Sequence, residues 1–323
     1  MVLILYGLLF IGSAGLLYVA GEWMIRGLMS LSRMLGLREF VVAFFVMAAA
    51  ASLPNLFVGI TSATQGIPEL SLGDVFGNNF VAVTLALSAG VLFAQCGFIR
   101  VDSHTVRGSI LFTAAAALLP VLLISDGSLD RSDGIILIIL FLAYMRWLFL
   151  KRDRFSKKYN HERVESPTVR VAHIIPNILK IAAGVALLFV AALGIVFSAT
   201  FFAEHLGVPL LLIGILVVGL GNALPEVYFS IISARRGDTE LIMGNVMGSV
   251  IIPATLVLGI VALIHPIIIT DPLSLGESRL FLIVAIALFL LFSVTHKRIG
   301  RFEALALIGL YGAFVLWSIG FSL

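Results

Sequence analysis

Two stretches of this chain carry the same backbone plan. Residues 44–88 read FFVMAAAASLPNLFVGITSATQGIPELSLGDVFGNNFVAVTLALS, and residues 215–259 read ILVVGLGNALPEVYFSIISARRGDTELIMGNVMGSVIIPATLVLG. A shift of 171 positions, without a gap, superposes Leu53 on Leu224, Pro54 on Pro225, Gly66 on Gly237 and Glu69 on Glu240. It also pairs Gly73, Gly77 and Thr84 with Gly244, Gly248 and Thr255. In each copy a proline interrupts one apolar helix and a Gly/Asn-rich turn opens the next. Paired, interrupted membrane helices of this kind mark a transporter core, with its binding site near the bilayer midplane.

The rest of the chain agrees with a membrane setting. It is 60% hydrophobic and 12% charged, about half the charge of a soluble domain, and its mean hydropathy is +1.13. The net charge of +3 therefore says little about nucleic acid, and none is expected as a partner. The first apolar stretch lacks a small-x-small cleavage pattern and reads as a retained helix rather than a signal peptide. The lone cysteine, Cys96, excludes an intramolecular disulfide and any cysteine-cluster metal site, and reads as a small apolar helix residue.

Apolar runs of spanning length predict an all-α polytopic membrane protein of about ten helices: 2–33, 39–64, 70–96, 107–124, 134–150, 172–204, 209–235, 240–264, 278–295 and 301–321. The polar break KRDRFSKKYNHERVESPTVR at 151–170 divides them. Residues 1–150 form one five-helix repeat with its motif at 44–88, and 171–323 form the other with its motif at 215–259. With the N-terminus outside, only Arg131 and Arg279 of the 21 Lys and Arg fall on the outer side. The positive-inside rule thus puts both termini outside and the basic 151–170 linker in the cytoplasm, with membrane lipid as a neighbour. An odd number of helices per repeat makes the second repeat enter from the opposite face. The repeats are inverted, as alternating access around a central site requires.

Polar side chains deep in apolar helices are costly and mark function. Most acids lie in or near loops; Glu226 and Asp74 do not. Glu226 follows Pro225 in GNALPE, and Asp74 lies in GDVFGNN. Proline removes a backbone donor and is expected to open the preceding turn, freeing carbonyl oxygens. Carboxylates beside such carbonyls and amide or hydroxyl oxygens make a hard-cation site. Candidate neutral ligands are Ser52, Asn55, Asn78, Asn79, Asn222, Asn245 and Ser249. The GxxxG pairs at Gly73/Gly77 and Gly244/Gly248 suit close helix packing. Ser62 and Ser233 either serve the site or bond back to their own helices, and Glu69 and Glu240 read as turn residues at the membrane edge. No P-loop, nucleophile elbow, HExxH or Rossmann pattern appears, so an enzyme is not expected.

The runs GEWMIRG, SRMLGL, SLPN and SATQGIPELSLGDVFGNN resemble the first α-repeat of the sodium/calcium exchanger family, and AEHLGVPLLLIGILVVGLGNALPEVYFSIISARRGDTELIMGNVMGSV resembles the second. The resemblance implies ten helices in inverted five-helix repeats and antiport of Ca²⁺ against Na⁺ or H⁺. The departures fall on the ligand positions the resemblance implies. The family's first box carries a glutamate where this chain has Asn55, while the second is kept as Glu226. The GNxxGSN motif appears as GDVFGNN, bringing Asp74 and Asn78, and as GNVMGSV, keeping Asn245 and Ser249. The hydroxyl pair before the box is Ala51–Ser52 in one copy and Asn222–Ala223 in the other, and Ala82 and Pro253 replace a later Asn or Asp.

The expected function is therefore a secondary-active cation antiporter in the bacterial inner membrane, with inorganic cations as cargo and no resident cofactor. The cation-binding set is Glu226, Asp74, Asn55, Ser52, Asn78, Asn222, Asn245 and Ser249, with Glu226 and Asp74 as the charged metal ligands. A carboxylate lost at Asn55 and one appearing at Asp74 read as a relocation. If Asp74 does not reach the centre, a single acid suits a monovalent ion or a proton. The alternative from another class is a non-transporting scaffold or sensor built on the same fold. The sequence carries no signal for oligomeric state.

Overall fold

The computed structural model describes residues 2–34, 52–101, 104–150, 167–237, 239–295 and 298–322. Ten helices run through them in order. They are α1 (Val2–Met34), α2 (Leu53–Thr64), α3 (Glu69–Phe93), α4 (His104–Leu123), α5 (Arg131–Leu150), α6 (Pro167–Leu206), α7 (Leu210–Arg236), α8, α9 (Pro272–Thr295) and α10 (Arg301–Ser322). Helix α8 starts as Thr239–Ile252 and continues through Pro253–Val257 to Leu258–Ile264. Eight of the ten are long and apolar enough, by length and composition, to cross a membrane. Short strands β1 (Phe98–Arg100), β2 (Ser128–Leu129), β3 (Ile267–Ile268) and β4 (Arg298–Gly300) sit in the connections.

Strand pairing gives the handedness of the repeat. β1 follows the third helix of the first half and pairs antiparallel with β4, which follows the fourth helix of the second half. β2 follows the fourth helix of the first half and pairs with β3, after the third of the second. Repeats of the same orientation would bring like connections to the same face. Here unlike connections meet, so the two five-helix halves are inverted. The opposite face carries a further link, Arg279 donating to Ser125 at 3.0 Å between the start of α9 and the turn after α4.

Long α1 and α6 pack against each other. Tyr6 stacks on Phe201 with ring centroids 3.8 Å apart, Ser13 lies against Gly194, and Met24 against Gly184. As one number rises the other falls, so the helices are antiparallel, which inverted first helices must be. Much of their surface is exposed apolar side chain, including Ile4, Ile11, Leu179 and Val190, as a lipid-facing pair requires. Helices α3 and α8 are the enclosed ones, and their side chains build much of the main core, from Leu72, Val75 and Phe76 to Val246, Met247 and Val250.

Apolar side chains drive no association between helices when the solvent is itself apolar, so close backbone packing has to do it. Between α3 and α7 that packing is made by glycine. A methyl group at Gly73 would lie 2.3 Å from the Leu211 carbonyl oxygen, and one at Gly77 2.2 Å from that of Ile215; Gly214 and Gly219 face them from α7. The packing reading of the first GxxxG pair holds. Ser62 bonds back to its own helix, donating to the Gly59 carbonyl at 2.9 Å.

Three expectations change. Pro225 was expected to open the turn directly before it. The helix instead widens to π geometry earlier, over Gly214–Gly219, while Leu220–Arg236 runs through the proline as one helix. Helix α3 stops at Phe93, and Cys96 lies exposed in the turn beyond it rather than in a helix. Helix α6 starts at Pro167, inside the stretch read as linker, where a first-turn proline loses no helical hydrogen bond. Residues 39–51 of the second expected helix, including Ala51, and most of the linker lie outside the described residues.

The glycine contact is testable. Gly77→Ala is expected to cost about 1–3 kcal/mol through overpacking and to lower the thermal unfolding midpoint in detergent. Gly309→Ala on α10, with nothing within 4 Å of the added methyl, should leave it unchanged or slightly higher. Equal midpoints for the two variants would refute the close-packing account.

Candidate functional site

The polar centre is built from three rows of side chains, each spaced by one helical turn. Helix α3 carries Asp74 and Asn78, α7 carries Asn222 and Glu226, and α8 carries Asn245 and Ser249. Asp74, Asn78, Glu226 and Ser249 are buried, with Asp74 fully so. Asn222 and Asn245 are half-buried.

Two hydrogen bonds tie the rows together. The Asn222 amide donates to Asp74 Oδ1 at 2.8 Å. Glu226 lies one turn further along the same helix as Asn222, so the bond ties Asp74 to the helix that carries the second acid. The second bond runs from Asn78 Nδ2 to the Ser249 carbonyl, also at 2.8 Å. Pro253, four residues on, has no N–H to offer that carbonyl, so the asparagine amide fills a vacancy made by the proline. Asn78 and Ser249 are also equivalent residues, 171 positions apart. Equivalent residues can touch only at the axis relating the two halves, so this bond marks the pseudo-twofold centre.

Among the described residues, several buried polar atoms of the candidate residues have no protein partner: Asp74 Oδ2, Glu226 Oε2, Asn78 Oδ1, Asn55 Nδ2, Asn245 Nδ2 and both amide atoms of Asn79. Each unsatisfied buried group costs about 1–3 kcal/mol. A half-turn of the Asn55 or Asn245 amide exchanges its nitrogen for its oxygen, so either can present an acceptor. Among the described residues, no cationic side chain pairs with either carboxylate. Two like charges 4 Å apart repel by roughly 4 kcal/mol at an effective dielectric constant of 20. A site with two acids, spare oxygens and no internal cation is suited to a positively charged ligand.

The candidates are not equally joined. Asp74, Asn222 and Glu226 form one group, and Asn78 and Ser249 another. The Ser249 hydroxyl donates to the Val246 carbonyl at 3.1 Å, leaving lone pairs rather than its proton for a ligand. Ser52 is buried just before α2 and Asn55 in its first turn. No hydrogen bond links Asn55 to the network among the described residues, although the repeat maps it onto Glu226. Glu69 is no solvated turn residue. It is buried in the first turn of α3 and accepts from Thr270 at 2.8 Å.

Sequence reasoning passed over two groups. Ser230 and Ser71 are fully buried, with hydroxyls unpartnered, and they extend the Asn222–Glu226 and Asp74–Asn78 rows by about one turn. Their spacing from the acids was the available signal. Matched π segments at Ala82–Ala86 and Pro253–Val257 were also unforeseen. Both contain the repeated threonine, and Thr84 and Thr255 each donate to the carbonyl four residues back. Alanine opens one segment and proline the other, so proline is not the common cause.

A family model described as sodium/calcium exchanger protein matches residues 5–150 and 177–320. The chain belongs to the sodium/calcium exchanger family. Membership makes it a secondary-active cation antiporter, in a family of transporters rather than enzymes, and no finding favours the scaffold alternative. Among relatives of this exchanger is a putative antiporter, CaxA, of Alkalimonas amylolytica, 28% identical over 91% of this chain and 92% of that protein. Another is the sodium/calcium exchanger MaX1 of Methanosarcina acetivorans, 25% identical over 97% of both. The solved sodium-calcium exchanger NCX_Mj shares the fold, with a TM-score of 0.65 and 24% identity over 97% of this chain and 99% of that one.

Within this exchanger the two acids should be equally necessary. Asp74→Asn and Glu226→Gln are each expected to weaken Ca²⁺ binding at least ~100-fold, since removing one charge from a buried ionic cluster costs roughly 3 kcal/mol or more. Equilibrium binding of radioactive Ca²⁺ to the purified variants measures this. Binding that survives Asp74→Asn removes that residue from the site.

Proposed function

We propose that this antiporter carries a hard divalent cation, Ca²⁺ first among them, at one central site shared by Asp74 and Glu226. The observation that supports the reading is the Asn222 amide on Asp74 Oδ1, which ties a second acid to the helix that carries Glu226 although Asn55 lacks a carboxylate. Two acids match a divalent charge. Asn78, Asn245, Ser249, Asn55 and Ser52 supply neutral groups around it. The relatives' names, an antiporter and a sodium/calcium exchanger, support the same reading.

The driving ion is Na⁺ or H⁺, and the neutral oxygen shell favours H⁺. Ala82, Ala223 and Pro253 offer no side-chain oxygen. Two carboxylates can instead alternate between one divalent cation and protons. The inverted halves then expose the site to each face in turn, with α1 and α6 as the sliding pair. Flux in vesicles loaded with separate Ca²⁺, Na⁺, K⁺ and pH gradients tests this. Ca²⁺ uptake should follow an imposed pH gradient and vanish in Glu226→Gln. Uptake driven by Na⁺ alone would reverse the coupling assignment, and absence of any Ca²⁺ flux would reject the cargo.

We further propose that the chain lies in the inner membrane with both termini outside and the β1–β4 face in the cytoplasm. Arg235, Arg298 and Arg301 gather on that face and only Arg131 and Arg279 on the other. The single cysteine reports it without mutation, because Cys96 is exposed beside β1. A membrane-impermeant maleimide should leave intact spheroplasts unlabelled and label inverted vesicles; the reverse pattern overturns the orientation.

A further inference from the structure

At the β1–β4 face a cleft of about 300 Å³ opens between the end of α3 and the start of α10, lined by Gly97, Phe98, Arg298, Arg301, Phe302 and Glu303. Its two guanidinium groups are held by packing. Arg298 lies over the Phe98 ring, 5.7 Å from the centroid. Arg301 lies against the backbone of Gly97, where a Cβ would come within 2.9 Å of its Nε and where φ is +69°. Neither forms an ion pair among the described residues. The one acid present, Glu303, accepts the Gly300 N–H at 3.1 Å and so serves the start of α10. Two positioned guanidinium groups against one carboxylate leave the cleft net positive, a site for an oxyanion.

The surroundings say which oxyanion. Helix α10 leaves the cleft as a membrane-spanning helix, and beside Arg301 it presents Phe302, 88% exposed, then Leu305, 56% exposed. Charge at the polar end of a continuous exposed apolar strip is complementary to a negatively charged headgroup followed by acyl chains. We propose that this cleft binds an anionic phospholipid, its phosphate between Arg298 and Arg301 and its chains along the Phe302–Leu305 face of α10. The lipid would bridge α3 and α10 beside the short β1–β4 pair, adding to the contacts of Gln95 and Phe93 with Arg235 that also join the two halves on that face. The site is independent of the ion site and of the direction of transport.

The test uses the full-length protein in detergent, with phosphatidylglycerol, phosphatidylcholine or inorganic phosphate added and with thermal unfolding and native mass spectrometry as readouts. The wild type should be stabilised by phosphatidylglycerol more than by phosphatidylcholine and should retain the anionic lipid on mild delipidation. Arg298→Gln with Arg301→Gln keeps the side-chain stems and should weaken the phosphatidylglycerol effect about 30-fold in apparent affinity, leaving the phosphatidylcholine response unchanged. Should that pair fail to fold, Arg298→Lys with Arg301→Lys keeps the charge and should keep the preference. Equal stabilisation of wild type and the Gln pair overturns the proposal. So does an equal effect of inorganic phosphate, which would make the site one for a free anion, or loss of the preference in the folded Lys pair.

Discussion

The centre of this protein depends on how closely two helix backbones approach. Gly73 and Gly77 on α3 meet Gly214 and Gly219 on α7 at distances no side chain would allow. In an apolar solvent such contact replaces the hydrophobic drive that would hold helices together in water. It has a chemical consequence. Asp74 and Asn78 are borne by the turns that touch α7, so Asp74 comes within hydrogen-bond reach of Asn222, one turn before Glu226. A bulkier residue at either α3 glycine would separate the two acids as well as the helices.

The inverted repeat supplies the rest of the geometry, and its departures supply the chemistry. On the symmetry axis Asn78 meets Ser249, and the bond between them exists because Pro253 leaves a carbonyl unserved. The Asp74–Asn222 bond has no mirror image. Its counterpart would join Asn245 to Ala51, and alanine carries no amide. The framework thus keeps its twofold character while charge is concentrated on one side of each pair: Asp74 against Asn245, and Glu226 against Asn55. Among the described residues, polar atoms without protein partners lie in the same rows, and a bound cation would offset the cost of burying their oxygens.

Away from the centre, the protein manages its edges with very little regular structure. Two short strand pairs, one on each face, tie the halves together where helices end. Both arise from the connections flanking α4 and α9, so the clasps obey the same inversion as the helices. Their faces differ in charge, and the basic one holds the cleft with Arg298 and Arg301.

Much of this was legible in the sequence because the membrane imposes it. Apolar length set the number of helices, and the repeat of prolines and glycines set the inverted plan; these depend on local chemistry and counting. Glu226, deep in an apolar helix directly after a proline, announced itself for the same reason. Tertiary structure decided what spacing along one chain cannot: that Asp74 bonds Asn222 on the helix that carries Glu226, that Asn78 answers the Ser249 carbonyl four residues before Pro253, and that Cys96 lies in a turn. Each depends on which faces of separate helices meet. The approach of backbones at glycines sets that to within an ångström, and periodicity within a single helix carries no information about it.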